Sequence, residues 1–173
     1  MSLEIESLVE SLQSRFSDTV GDVSEFRNET TIYIKKENVL NVLGYLKSEF
    51  DFTFLAELTA VDLLEVKSPR YEVVYMLHRF GFDYEENVRI RIKAQVSAQD
   101  MTIDSVTSIW RGADWLEREV YDMFGIEFLG HPDLRRILMP EDYEPHPLRK
   151  DFDVRNREAS KQSFERALKE GND

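Results

Sequence analysis

WLEREVYDMFGIEFLGHPDLRRILMPEDYEPHPLRKDFDV, residues 115–154, changes its pattern partway along. From Ala113 the apolar side chains return at helical spacing: Ala113, Leu116, Val120, Met123 and Phe124 fall on one stripe at about 100° per residue, as a helix docking on a core requires. Gly112 and Asp114 suit the start, where a carboxylate meets the positive end of the helix dipole. Gly125 suits the end, because glycine enters the left-handed conformation without steric cost. Beyond Phe128 the periodicity stops. Gly130-His131-Pro132-Asp133 reads as a turn, and Pro140, Pro145 and Pro147 punctuate the residues after it. Such a segment has few hydrogen bonds of its own and is ordered only where it lies against something.

The charges on this helix need partners. Glu117 and Glu119 fall at the two borders of the apolar stripe, while Arg118 and Asp122 share the far side as an i,i+4 pair. A carboxylate at the edge of a buried stripe must be paired or hydrogen-bonded, or else shift its pKa until neutral. Arg135, Arg136, Arg149 and Lys150 are close enough along the chain to serve. Two readings stay open: these bases brace the irregular segment onto the helix, or helix rim and segment together form a surface for another protein. His131, between Gly130 and Pro132, reads as a turn residue bonded to backbone or to Glu119.

Working outward, Val88, Ile90, Ile92, Ala94 and Val96 alternate with Arg89, Arg91, Lys93 and Gln95, the period of a strand with one apolar face. Tyr71–Phe80 has large residues on both faces, as a strand covered on two sides would, and the two runs read as an antiparallel hairpin. The row Arg89, Arg91, Lys93 is either a solvent face and guarded edge or a docking row for an acidic partner. Phe52–Val66 is too long for one flat strand; the reading is a strand over Phe52–Leu58 with a continuation or bulge around Asp62. Val20–Lys36 reads as a hairpin turning at Arg27-Asn28-Glu29. Ile5, Leu8, Val9, Leu12 and Phe16 make one amphipathic helix with Ser2 as a possible cap. Val39, Val42, Leu43, Leu46 and Phe50 make another, with Asn38 as its cap. Ser105–Trp110 reads as a short helix or turn, and Phe164, Ala167 and Leu168 anchor a weak C-terminal helix. The pattern is α+β: a single two-layer domain over residues 1–130, with a mixed or antiparallel sheet covered by helices, then an extended Pro-rich partner-docking tail over residues 131–173.

Composition excludes several functions. A formal net charge of −12 argues against nucleic acid or anionic lipid as the ligand, since both need a clustered positive field. With no cysteine the chain makes no disulfide and ligates no iron–sulfur cluster through thiolates. No apolar run reaches membrane-spanning length, so direct membrane insertion is not expected. His78, His131 and His146 show no metal-binding spacing. Glu117 and Glu119 point to opposite borders of their helix and cannot share a proton, and no nucleophile elbow or phosphate loop occurs. The residues therefore read as a binding module with no metal and no self-contained catalytic site.

Glu117-Arg118-Glu119, Asp122-Met123-Phe124, His131, Arg135 and Ile137-Leu138, at those spacings, resemble the signature of the 30-kilodalton subunit of respiratory complex I, also known as the C subunit of NADH-quinone oxidoreductase. Met139-Pro140-Glu141-Asp142-Tyr143 and His146-Pro147-Leu148-Arg149-Lys150-Asp151-Phe152 are similar to the continuation of that family, and Thr59-Ala60-Val61-Asp62 to a segment before it. The resemblance implies a scaffolding subunit of the peripheral arm, without a cofactor of its own. Its partners would be the 49-kilodalton quinone-site subunit and other peripheral-arm subunits carrying iron–sulfur clusters and quinone. It implies a peripheral location at the cytoplasmic face of the membrane, and roles for Glu117, Arg118, Glu119, Asp122, His131, Arg135 and Arg149 in holding the signature segment in its docked shape. The rival is a free-standing metal-dependent or acid/base enzyme using Glu119 and His131.

Overall fold

Leu55 and Leu58 in the Phe52–Val66 run differ in parity, so a regular strand would point them to opposite faces of a sheet. A computed structural model, which describes residues 3–82, 87–155 and 157–170, resolves the conflict with a bulge: the register shifts between Leu55 and Glu57. Both leucines and Ala60 then reach the core, as one extra residue in a strand permits. The strand runs on continuously over Phe54–Asp62, so of the two readings at Asp62 the continuation holds, and the bulge lies instead at Ala56.

Five strands, β1 (Val20–Phe26), β2 (Glu29–Lys35), β3 (Phe54–Asp62), β4 (Tyr71–Arg79) and β5 (Val88–Val96), form one sheet in the order β1-β2-β5-β4-β3. β4 and β5 pair antiparallel as the alternation predicts, whereas β2 and β5 are parallel, so the sheet is mixed. The β1–β2 hairpin turns on Arg27 and Asn28, at φ 52° and 63°. Two successive left-handed residues are the combination whose twist matches the strands they join.

Three helices, α1 (Leu3–Arg15), α2 (Val39–Phe50) and α3 (Ala113–Phe124), share one face of the sheet. Leu8 and Leu12 from α1, Val42, Leu43 and Leu46 from α2, and Val120, Met123 and Phe124 from α3 join Ile32, Ile92, Val73 and Leu77 in a common core. Asn38 does not cap α2 through its side chain; its amide donates instead to Thr19 Oγ1 at 2.8 Å, which ties α2 to the entry of β1. The proposed cap Ser2 lies outside the described residues.

Ser105–Trp110 forms turns. On either side of that region and α3, two three-residue strands, β6 (Thr102–Asp104) and β7 (Glu127–Leu129), pair in parallel. Runs this short carry no readable alternation. From residue 130 to Arg157 there is no regular element among the described residues, and α4 (Glu158–Glu170) closes the described chain. Phe164 and Leu168 of α4 are exposed, so they bury little against the domain, contrary to the anchoring expected of them; the Ala167 side chain lies outside the described residues. Arg166 ties the helix to the irregular segment through Asp142 at 2.9 Å.

Candidate functional site

The irregular segment after β7, residues 131–152, is a strap wrapped on α3, and Asp122 is its main fastening. This carboxylate is fully buried. Oδ2 accepts the consecutive N–H groups of Ile137, Leu138 and Met139 at 3.0, 2.7 and 2.8 Å, and Oδ1 accepts Arg136 Nη1 at 2.6 Å. Burial opposes ionisation of Asp122 and is the largest single influence on it. The donors from Met139, Arg136, Leu138 and Ile137 together outweigh burial and hold the carboxyl below its ordinary range. Arg118 grips the same turn from the other side, donating from Nε to Arg135 O at 3.2 Å and from Nη2 to Arg136 O at 3.1 Å, with its guanidinium 5.4 Å from the Trp115 ring centroid. The i,i+4 pair expected between Arg118 and Asp122 is not made. What the helical wheel presents as the solvent side is the side the strap covers.

The C-terminus of α3 is closed by the strap as well. A helix leaves its last carbonyls without internal donors. Here His146 Nδ1 donates to Asp122 O at 2.9 Å, Leu148 N–H to Met123 O at 3.1 Å and Arg149 Nε to Phe124 O at 2.6 Å. The Arg149 cation also suits the negative end of the helix dipole. Gly125 is needed twice over: its φ is 75°, and a Cβ there would collide with Arg149 Nη2 and His146 Nε2. Burial holds the His146 imidazole below its ordinary pKa despite the bond to Asp122 O.

The far end of the strap is fastened to the sheet. Asp62, last residue of β3, accepts Arg70 Nε at 2.9 Å and Nη2 at 2.7 Å, the N–H of Leu64 at 3.0 Å and the N–H of Lys150 at 2.8 Å. Arg70 also forks onto Asp151, at 3.0 and 2.9 Å. The Arg70 bond brings Asp62 down to about 2 in spite of burial. This gives the Thr59–Asp62 segment a physical role that its sequence left open.

Glu117 behaves differently. It is fully buried on the core side of α3, and none of Arg135, Arg136, Arg149 or Lys150 reaches it. Oε1 accepts Val106 N–H at 2.7 Å, whereas Oε2 has no hydrogen-bond partner; His131 Nε2 lies 4.0 Å from it. Burial pushes the carboxyl up to about 7, opposed by the nearby Ser105 hydroxyl and the Val106 N–H and assisted by the nearby charge of Asp114. His131 bonds Asp114 and not Glu119: its Nδ1 accepts Asp133 N–H at 3.0 Å, which leaves the proton on Nε2 to donate to Asp114 O at 3.2 Å. Glu119 is exposed, because the border it occupies faces solvent. Arg135 is also on the outside, paired with Asp133 at 2.9 Å.

The signature residues thus divide. Glu117, Arg118, Asp122, His131 and Arg149 converge on α3 and the strap, and Glu119 and Arg135 stand apart. Asp62, Arg70, Arg136 and His146 complete the fastening. Arg136 stood in the sequence among the bases available to brace the segment onto the helix and His146 only as a histidine without metal-binding spacing, while Asp62 and Arg70 gave no local signal beyond a charge at a strand end. In the cationic row, Arg91 bonds Glu29 at 2.5 Å and Thr31 at 3.2 Å, and Lys93 bonds Glu72 at 2.8 Å, while Arg89 is exposed. Open clefts beside β1 and beside the Leu64–Arg70 loop have no α3 residue in their walls. Among the described residues no group of three or more His, Asp or Glu is placed to hold a metal ion, and no helix is long and apolar enough to cross a membrane.

Fold and cluster together define a class: an α+β domain whose polar signature clamps a C-terminal strap to a central helix. The chain belongs to the family described as respiratory-chain NADH dehydrogenase, 30 Kd subunit, which matches residues 32–158. It is 48% identical over 141 residues to the C subunit of the NADH-quinone oxidoreductase of Citrifermentans bemidjiense, covering 82% of this chain and 84% of that one. It is 45% identical over 141 residues to the subunit of the same name in Geobacter metallireducens, covering 82% and 85%. Among solved structures, a trypsin-resistant fragment (1-134) of Nqo5 matches with TM-score 0.66 and 28% identity over 76% of this chain and all of the fragment. A chain of an archaeal membrane-bound sulfane sulfur reductase shares the fold, with TM-score 0.74 and 22% identity over 94% of this chain and 92% of that one.

Proposed function

We propose that this chain is a non-catalytic structural subunit in the peripheral arm of a proton-translocating NADH-quinone oxidoreductase. In this reading it holds no cofactor, and it docks the 49-kilodalton quinone-site subunit at the cytoplasmic face of the membrane. Electron transfer to quinone takes place in partner subunits that carry the iron–sulfur clusters. The observation that carries the reading is the division of the strap into two sides. Arg136, His146, Arg149 and the backbone N–H groups of residues 137–139 and 150 turn inward onto Asp122, Asp62 and the end of α3, while Leu138 and Leu148 of the strap are exposed at 63% and 53%, as are Trp115 of α3 and Val154 just past the strap, at 62% and 72%. A rigid ribbon with apolar side chains on its outside is suited to burial against another protein.

The test must leave the inward contacts intact. Arg149→Glu would break the cap of α3 itself, and Trp115 lies under the Arg118 guanidinium that grips the strap, so the discriminating variant is Leu138→Asp with Leu148→Asp, tagged and expressed in the native host. The expected result is an unchanged melting temperature for the purified chain, with the 49-kilodalton and iron–sulfur subunits no longer co-recovered from a membrane extract. Undiminished co-recovery would overturn docking through this face. Quinone reduction or any hydrolytic turnover by the purified chain alone would overturn the non-catalytic assignment in favour of an enzyme built on Glu119 and His131.

A further inference from the structure

The cationic row of β5 divides when the chain folds. Arg91 and Lys93 are paired with Glu29 and Glu72, whereas Arg89 is exposed and, among the described residues, has no ion pair or hydrogen bond. It does not guard a sheet edge, because β5 lies between β2 and β4. Arg89 stands opposite His78 of β4, and His78 opposite Phe54 of β3, so the three form a row on the sheet face turned away from α1, α2 and α3. Phe80, just past β4, completes a cluster of rings. The centroids are 6.2 Å apart for Phe54 and His78, 5.6 Å for Phe54 and Phe80, and 5.9 Å for His78 and Phe80. Phe54 and Phe80 stay exposed at 48% and 59%. Burial and the Arg89 charge hold the His78 imidazole below its ordinary range, so at neutral pH the third ring is uncharged. Glu57, an exposed acid of β3 on the same face, lies opposite Met76, further from this end of the sheet, and makes no ion pair with Arg89.

We propose that Phe54, His78, Phe80 and Arg89 form a docking site for a segment of another subunit, one that sets an apolar side chain among the three rings and an Asp or Glu carboxylate on Arg89. Clustered aromatic rings left in water on an edge strand invite unwanted association unless something covers them, and aromatic side chains with arginine are the types that anchor protein interfaces. The charge selects the occupant. A guanidinium without an anion accepts one carboxylate in a fork, whereas a polyanion such as nucleic acid or an anionic bilayer would meet a single free cation on a chain of net charge −12. A second copy of this chain is disfavoured too, because an isologous contact through this face brings two Arg89 side chains together. The inference rests on the reading that the chain works inside an assembly, but it concerns another face. The strap is fastened at Asp62, the opposite end of β3 from Phe54, roughly 25 Å away at the rise of a strand.

The probe is a photo-crosslinking residue, p-benzoylphenylalanine, placed at Phe80 and, in a second variant, at Phe54 of the full chain expressed in the native host. Membranes are illuminated and the joined peptides are identified by mass spectrometry. The expected result from either position is a crosslink to one segment of another subunit that carries an apolar residue with an Asp or Glu beside it. Adding Arg89→Glu should lower the yield of that crosslink about tenfold or more, with the melting temperature of the purified chain unchanged, since Arg89 braces nothing within it. Crosslinks only to lipid or to a second copy of the chain, a crosslinked segment without an acid, or a yield indifferent to Arg89→Glu would each overturn the proposal. The strap is unaltered in all of these variants. Absence of a crosslink from a chain that still co-recovers the iron–sulfur subunits would therefore overturn this face alone, and leave the docking of the strap to its own test.

Discussion

Asp122 and Glu117 are buried carboxylates on one helix, five positions apart, and their surroundings drive them in opposite directions. Asp122 faces the strap and collects three backbone N–H groups and a guanidinium, so it stays charged although burial opposes it. Glu117 faces the core, receives one backbone N–H on Oε1, and burial prevails. Depth alone does not decide the charge of a buried acid; the number of donors aimed at it does. The strap side of α3 is thus held by a fixed anion, and the sheet side by a group that can lose its charge.

The largest expected effect comes from breaking the first half of this contrast. Asp122→Ala removes the acceptor of four donors and leaves Arg136 buried without its anion, which should lower unfolding free energy by about 3–5 kcal/mol. The check is a denaturant titration, accompanied by faster amide exchange at Ile137, Leu138 and Met139. A loss below about 1 kcal/mol, the size of a surface contact, would mean that the strap is held mainly elsewhere, at Asp62 and the α3 cap.

The second half is sharpened by pH. Glu117 ionises at about 7 in the folded chain against a reference value of 4.5. Between those values the unfolded chain has already given up the proton that the folded chain retains. Stability from this group therefore falls as pH rises from 4.5 to 7, and is level above. Glu117→Gln should leave stability at about pH 4 nearly unchanged and raise it at about pH 8 by up to roughly 3 kcal/mol, seen as a flatter dependence of the melting temperature on pH. An unaltered pH profile would show that Glu117 is ionised throughout and that the contrast with Asp122 is one of geometry only. The smallest effect belongs to the open sheet face: Arg91→Ala, losing a part-exposed pair with Glu29, should cost less than about 1 kcal/mol and leave amide exchange in the strap untouched.

Much of the frame was legible in the chain. Period-two alternation marked β4 and β5, helical spacing marked α1, α2 and α3, and Gly125 marked where α3 ends, because these signals are local and each residue reports its own face. The strap was recognisable as irregular but its fastenings were not. A helical wheel divides α3 into a core side and a solvent side, and has no place for a second partner arriving from residues 135–149. Arg118 and Asp122 were accordingly paired with each other, when each instead binds strap backbone. Glu119 was treated as equivalent to Glu117, although the strap and the Val106 loop enclose only one of the two borders. The bulge at Ala56 was not located, because the length of an apolar run shows that it departs from one flat strand without showing where.

By itself the amino-acid sequence determined which stretches could bury a face, where glycine and proline had to interrupt them, and, through the density of its signature, the family to which the chain belongs. Only the tertiary structure decided which charges meet. Asp62 lies far along the chain from the Lys150 amide, and Arg70 from Asp151. Contacts at such separation depend on how the sheet and α3 are placed in space, and no local run of residues encodes that.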